Sequence, residues 1–246
     1  MILISGVSGR LGGAILDAVG ARADVLAVAG HPSTLPSGVD VLVLTGPPGG
    51  AAVPWARHVV YASLAGSGDG TPLAPAHRAT EARLPGTATV LRNGWYAETA
   101  ARLTAARADT AAASGVFTAP LGAGRLSVVA RQDLADVAAR VALESAADLG
   151  AGRPSRHAGR TYELEGVTAV GGDELAGLLG WVLGRRVRYE PAPPARGKLF
   201  ESIAAGRLEA TSTDLTALLP SAPRPALDVI ERAVVARGRR FGGAAG

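Results

Sequence analysis

The chain has 246 residues, 48% hydrophobic and 19% charged, with a formal net charge of +4; this is enough for one sizeable core and lies outside the composition of disordered chains. It contains no cysteine, which excludes a disulfide framework, a thiol nucleophile and any cysteine-ligated metal or iron–sulfur centre. Lys198 is the one lysine, and the arginines cluster only at Arg185–Arg186–Arg188 and Arg237–Arg239–Arg240, without interleaved aromatics, a pattern that does not point to nucleic acid.

In chain order, Ile2–Ser5 is an apolar run meeting a glycine-rich turn, Gly6–Gly13. Apolar residues then recur at Leu11, Ala14, Ile15, Ala18 and Val19 with helical spacing. Asp24–Ala29, Val39–Thr45 and Val59–Ser63 predict three more strands. Their continuous apolar character suits a parallel sheet covered on both faces. Parallel strands need a crossover of a dozen or more residues, usually with a helix. Here residues 30–38 carry two prolines and two glycines, which exclude one. Residues 46–57 leave room for a single helical turn at 51–56.

Pro75–Leu84 predicts a short helix, Thr87–Leu91 a strand, and Ala97–Ala113 a long alanine-rich helix. Val116–Ala119 and Leu126–Ala130 read as short strands. Asp133 reads as the cap of a helix running to Ala147. Thr161–Glu165 and Val187–Tyr189 predict strands; Asp173–Leu183 (closed by Gly184), Lys198–Arg207 and Pro225–Val235 predict helices. No stretch approaches the ~20 apolar residues of a membrane span. The N-terminus lacks a basic segment ahead of its apolar residues, so the expected location is cytoplasmic. His31, His58, His77 and His157 are scattered at no ligand-like spacing, and no metal site is expected.

Gly6-x-x-Gly9-x-x-Gly12 lies directly between a strand and a helix. Glycines there allow a tight turn and let a diphosphate approach the amides at the helix N-terminus. A tight turn serving strand–helix packing alone would use the same residues. The usual partner of this motif, at the end of the second strand, is an acid for a free ribose or an arginine for a 2′-phosphate. The sequence offers Ala29-Gly30-His31-Pro32 instead. Arg10, and His31 if protonated, could contact a 2′-phosphate.

Ile4-Ser5-Gly6-Val7-Ser8-Gly9-Arg10-Leu11-Gly12, Val59–Leu64, His77-x-x-x-Glu81-x-x-Leu84 and Val90-Leu91-Arg92-Asn93-Gly94-Trp95-Tyr96-Ala97-Glu98 together resemble the NmrA-like atypical short-chain dehydrogenases. The resemblance is greatest to their bacterial NAD(P)H:quinone oxidoreductase branch. It continues through Ala130–Ala135, Tyr162–Leu164 and Pro225–Val235. It implies an α/β, Rossmann-like parallel sheet with a small C-terminal α+β lobe and NADP in the cleft. By resemblance, Gly6, Ser8, Gly9, Arg10, Leu11 and Gly12 would hold the diphosphate. Thr45 and Gly46 would border the ribose, Tyr61 and Ser63 would lie near the nicotinamide, and Asn93, Trp95 and Tyr96 would face the substrate. The Tyr-x-x-x-Lys pair of typical short-chain dehydrogenases is absent. The family's helix–strand–helix block between the second strand and Val39 is also missing, and Gly30 replaces the arginine after the second strand.

Among candidate catalytic residues, His77 and Glu81 lie one helical turn apart and could form an acid–base pair or an exposed ion pair. Asn93, at the C-terminal end of a strand, could orient a carbonyl or cap the next turn. Tyr96 could donate to a developing oxyanion. The expected domains are a Rossmann-like unit (1–93 with parts of 116–147, abbreviated between 30 and 57), a substrate lobe (94–115 and 148–236) and a flexible tail (237–246). The first functional reading is an NADPH-dependent reductase of a quinone, enone or related carbonyl small molecule. The alternatives are an enzyme that has lost the cofactor and performs cyclisation, isomerisation or elimination, and a non-catalytic dinucleotide sensor. A homo-oligomer is compatible with the sequence, which does not set the oligomeric state.

Overall fold

The computed structural model describes all residues except 50–51, 67–70, 194–197 and 243–246, and the side chains of 198 and 237–242. The main body is a six-stranded, wholly parallel sheet. Its strands are β1 (Ile2–Ser5), β2 (Val25–Val28), β3 (Val41–Leu44), β4 (His58–Leu64), β5 (Thr89–Asn93) and β9 (Thr161–Leu164), in the order β2-β1-β3-β4-β5-β9. The register is continuous from Ile2 opposite Val25 and Val41 to Asn93 opposite Leu164. A complete doubly wound sheet has the order 3-2-1-4-5-6; here nothing among the described residues lies outside β2. The sequence expectation puts Thr161–Leu164 in the substrate lobe, but it is the sixth strand of this sheet.

Alternation along the strands makes two unequal layers. Ile2, Ile4, Val41, Val43, Val60 and Leu91 face helices α1 (Arg10–Val19) and α5 (Arg131–Gly150), whose Ile15, Leu134, Val137 and Val141 complete that core. Leu3, Leu42, Leu44, Val59 and Tyr61 face the other way. They are covered by Leu35, Val39, Val53 and Ala56 from the links and by Leu84. The proline- and glycine-rich links thus tuck single apolar side chains where a full crossover would lay a helix. The link of residues 29–40 holds no helix, as its prolines require, and residues 52–56 do not form the expected helical turn.

The second body packs α3 (Ala97–Ala105) and α4 (Ala108–Ser114) with α6 (Gly172–Leu183), α9 (Ala226–Gly242) and short strands: β6 (Trp95–Tyr96), β7 (Val116–Ala119), β8 (Arg125–Val129), β10 (Ala169–Gly171) and β11 (Arg188–Pro191). These strands form a β10-β8-β6 sheet and a β11–β7 pair. Helices α2 (Ala74–Glu81), α7 (Lys198–Ala204) and α8 (Leu215–Leu218) complete the chain.

Three sequence expectations change here. The long helix over 97–113 is two helices, because the Arg107 amide bonds the Thr104 carbonyl while its guanidinium takes the Leu103 and Thr118 carbonyls. Asp133 does not cap α5, which begins two residues earlier. It is buried and accepts hydrogen bonds from the Arg224 backbone amide and guanidinium, fastening the segment before α9 to α5. The tail expected from 237 is helical through Gly242, with 243–246 outside the described residues. No helix among the described residues is long and apolar enough to cross a membrane.

Candidate functional site

The glycine turn follows β1, and Thr45 follows β3. Both lie at the C-terminal ends of their strands, at the point where the strand order reverses, the usual ligand position in open α/β sheets. Gly6 has φ +70°, and a Cβ there would stand 2.3 Å from Thr45 Oγ1. A Cβ on Gly12 would stand 2.4 Å from the Gly6 carbonyl oxygen. So Gly6 makes the turn, and Gly12 lets α1 come down onto it. Ser8 Oγ donates to the Ala29 carbonyl (2.9 Å) and Thr45 Oγ1 to the Ser5 carbonyl (2.8 Å), which fixes the turn between β2 and β3.

A cavity of about 490 Å³ opens over this turn, bordered by Gly6, Gly9, Gly12 and the arginines Arg10, Arg102 and Arg131. Amides at a helix N-terminus with three guanidinium groups suit an anionic, phosphate-bearing group. The glycine motif marks half of this site. Arg102 (α3) and Arg131 (α5) enter from elements far along the chain. Arg131 lies in the Ala130–Ala135 stretch of the family resemblance but no ligand role was legible there, and no local motif marks Arg102.

A second cavity of about 390 Å³ adjoins it, sharing Leu11, Thr45, Tyr96 and Arg102. Ser63, His77, Asn93, Trp95 and Gly46 line it further in. Asn93 is 94% buried and its Oδ1 has no hydrogen-bond partner among the described residues; nor does Trp95 Nε1. A buried acceptor left unpaired costs about 1–3 kcal/mol, a penalty that a ligand donor removes. Tyr96 is half-buried, and its hydroxyl makes no hydrogen bond to the described residues. Burial raises its pKa, partly opposed by Arg131, so the phenol stays protonated.

His77 and Glu81 do share a helix face, but they are not paired. His77 Nδ1 lies 2.9 Å from the Tyr61 hydroxyl and 3.5 Å from Ser63 Oγ. Burial, helped by Arg78, lowers its pKa against the pull of Glu81. Tyr61 is fully buried behind His77 and away from the cavity, its pKa pushed up to about 12 mainly by burial. Glu81 instead anchors a network: it accepts from Ser63 Oγ (2.5 Å), Arg78 (2.6 Å) and Arg92 (2.7 Å). Burial alone would raise its pKa; hydrogen bonds from Arg92 and Ser63 and the two arginine charges outweigh that and hold it low. Arg92 also reaches Glu163 (2.9 Å), whose other oxygen receives the Gly66 amide (3.1 Å). This network carries β4, β5 and β9 beneath the cavity. Sequence spacing indicated neither Arg92 nor Glu163.

His31 sits beside the turn but lines neither of these cavities. Its Nδ1 lies 3.2 Å from Ser5 Oγ, and burial lowers its pKa, which works against the protonated form that a 2′-phosphate contact would need.

No family model matches the chain. It is 34% identical over 139 residues to quinone oxidoreductase 2 of Escherichia coli strain K12, a match covering 54% of this chain and 43% of that protein. The chain therefore aligns with less than half the length of its curated relative. Its fold matches a Citrobacter sp. triphenylmethane reductase complexed with NADP(H) at a TM-score of 0.73 and 21% identity, over 94% of this chain and 99% of the other. An NADPH-dependent quinone oxidoreductase from E. coli, complexed with NADPH, matches at 0.73 and 22%, over the same shares. A Staphylococcus aureus nucleoside-diphosphate-sugar epimerase matches at 0.66 and 16%, again over 94% and 99%. These likenesses support the resemblance read from the sequence motifs.

Proposed function

We propose that this chain, a relative of quinone oxidoreductase 2 built on the fold of NADP(H)-binding reductases, is a nicotinamide-dependent reductase of a small planar quinone, enone or related carbonyl compound. The observation that carries it is the pair of adjoining cavities with a shared wall of Leu11, Thr45, Tyr96 and Arg102. One is fitted for phosphate; the other ends in a protonated phenol and an unpaired buried amide.

When bound, a nicotinamide cofactor supplies a hydride. The chain's own residues do the rest. The glycine turn and Arg10, Arg102 and Arg131 would hold the cofactor's diphosphate. Asn93 Oδ1 accepts from a donor on the ligand and sets its orientation. Tyr96 donates to the acceptor's oxygen as negative charge develops there. His77, which lines the cavity with its Nδ1 hydrogen-bonded to the Tyr61 hydroxyl, adds a further polar group at the ligand. Glu81 acts as a positioning residue, holding Ser63, Arg78 and Arg92.

The test is oxidation of NADPH by a panel of quinones and enones, with binding measured separately by calorimetry. Turnover of at least one acceptor is expected. No cofactor binding at ~1 mM, a free energy of only about −4 kcal/mol, removes the reductase reading. It would favour the second reading, non-redox chemistry in the same cleft, which the missing strand outside β2 also favours.

A further inference from the structure

In a complete doubly wound fold, the strand outside β2 and the turn after it frame the adenosine end of the cofactor. The side chain at the end of β2 then chooses between cofactors, an acid for the ribose 2′-hydroxyl or an arginine for its 2′-phosphate. Neither device is present here. β2 is the outermost strand. Ala29, Gly30 and His31 follow it, and the fully described link of residues 29–40 holds neither helix nor strand. A Cβ built on Gly30 meets nothing within 4 Å, so the space beside the turn is open. His31 is bonded to Ser5 and uncharged near neutrality. The other end of the cleft is well built: Arg10, Arg102 and Arg131 ring the glycine turn, and Asn93 and Tyr96 wait beyond.

We infer that the chain recognises its cofactor through the nicotinamide, its ribose and the phosphates alone, so that NADPH, NADH and reduced nicotinamide mononucleotide are near-equivalent ligands and the adenosine 2′-phosphate is not read. This rests on the reductase reading of the same cleft. Arg10 borders the same cavity as Arg102 and Arg131, which assigns its charge in this reading to the bridging phosphates.

Calorimetric titration of the full chain with the three reduced ligands, and with 2′-phospho-ADP-ribose as a probe lacking nicotinamide, reads binding without turnover. NADPH and NADH are expected to bind within about tenfold of each other, the mononucleotide within about tenfold of NADH, and 2′-phospho-ADP-ribose more than about tenfold weaker than NADPH. A preference for NADPH over NADH above about tenfold overturns the inference, and loss of that preference in Arg10→Ala would identify the residue that reads the phosphate. Binding of NADPH and NADH without the mononucleotide overturns it as well. Binding of none of the four is a different result: the reductase reading itself then falls, and this inference with it.

Discussion

Tyr96 is one of the four side chains that both cavities share, and it keeps its proton because burial raises its pKa. Tyr96→Phe removes one hydroxyl and no packing. The expected result is a kcat reduced by about 10²-fold, with cofactor affinity and thermal midpoint unchanged, as read by steady-state kinetics and calorimetry. His58 gives a prediction of another kind. It is buried against Thr89 (2.9 Å), and burial, with the nearby His157, lowers its pKa from 6.5 to about 4. The unfolded chain therefore takes up a proton near pH 6.5 that the folded chain refuses until about pH 4. Stability from this group is complete above pH 6.5 and falls as pH drops toward 4, by at most about 3 kcal/mol. Urea midpoints at pH 7.5 and 5 should differ clearly for the native chain and less for His58→Gln. Glu81, whose pKa is held below its ordinary 4.5, loses its contribution only at lower pH; His31 and His77, also lowered by burial, titrate in the same window, so the difference between the native chain and His58→Gln is what isolates His58.

At the scale of elements, the α1–turn contact is the tightest joint in the site. In Gly12→Ala the new methyl would stand 2.4 Å from a backbone oxygen that cannot step aside. The helix must then lift from the turn, at a cost of about 1–3 kcal/mol by overpacking, and phosphate binding should weaken with it; chemical denaturation and NADPH titration check the two effects. Asp133→Asn tests the joint between α5 and the segment before α9. It removes the charge that receives Arg224, and about 1–3 kcal/mol should be lost, read from the same denaturation curves. These elements also mark what the sequence made legible. β1, α1, β3, β4 and β7 follow from apolar runs and a glycine turn, signals carried by neighbouring residues. The break at Arg107 was hidden, because a side chain capturing carbonyls leaves no glycine or proline as a sign. Asp133 misled because a carboxylate near a helix start serves a cap or a distant arginine equally well. β6 and β10, of two and three residues, are too short to show a period. In the site, Gly6, Gly9, Gly12, Asn93, Tyr96 and His77 were read locally. The roles of Arg102, Arg131, Arg92 and Glu163 were not, although the last three lie in stretches that carry the family resemblance, because only the folded chain brings them there.

Across the whole molecule, the positive charge is carried almost wholly by arginine, and Arg10 and Arg102 meet the solvent at the cavity over the glycine turn. Cofactor affinity should therefore fall with salt. Raising ionic strength from about 0.05 to 0.5 M shortens the screening length from over ~10 Å to under ~5 Å, and NADPH binding is expected to weaken several-fold. Calorimetry at the two salt concentrations reads the difference.

The open margin of β2 has a consequence for how such a protein is assembled from parts. The outer backbone edge of Val25–Val28 pairs with no other strand in the sheet, and the link after it is largely exposed. A helix–strand insertion between Gly30 and Gly38 would extend the sheet without displacing a strand or breaking an existing ladder. On the reductase reading, the hydride end of the cleft and the adenosine end would then be separable modules, and selectivity for one dinucleotide over another a trait that such an insertion could add.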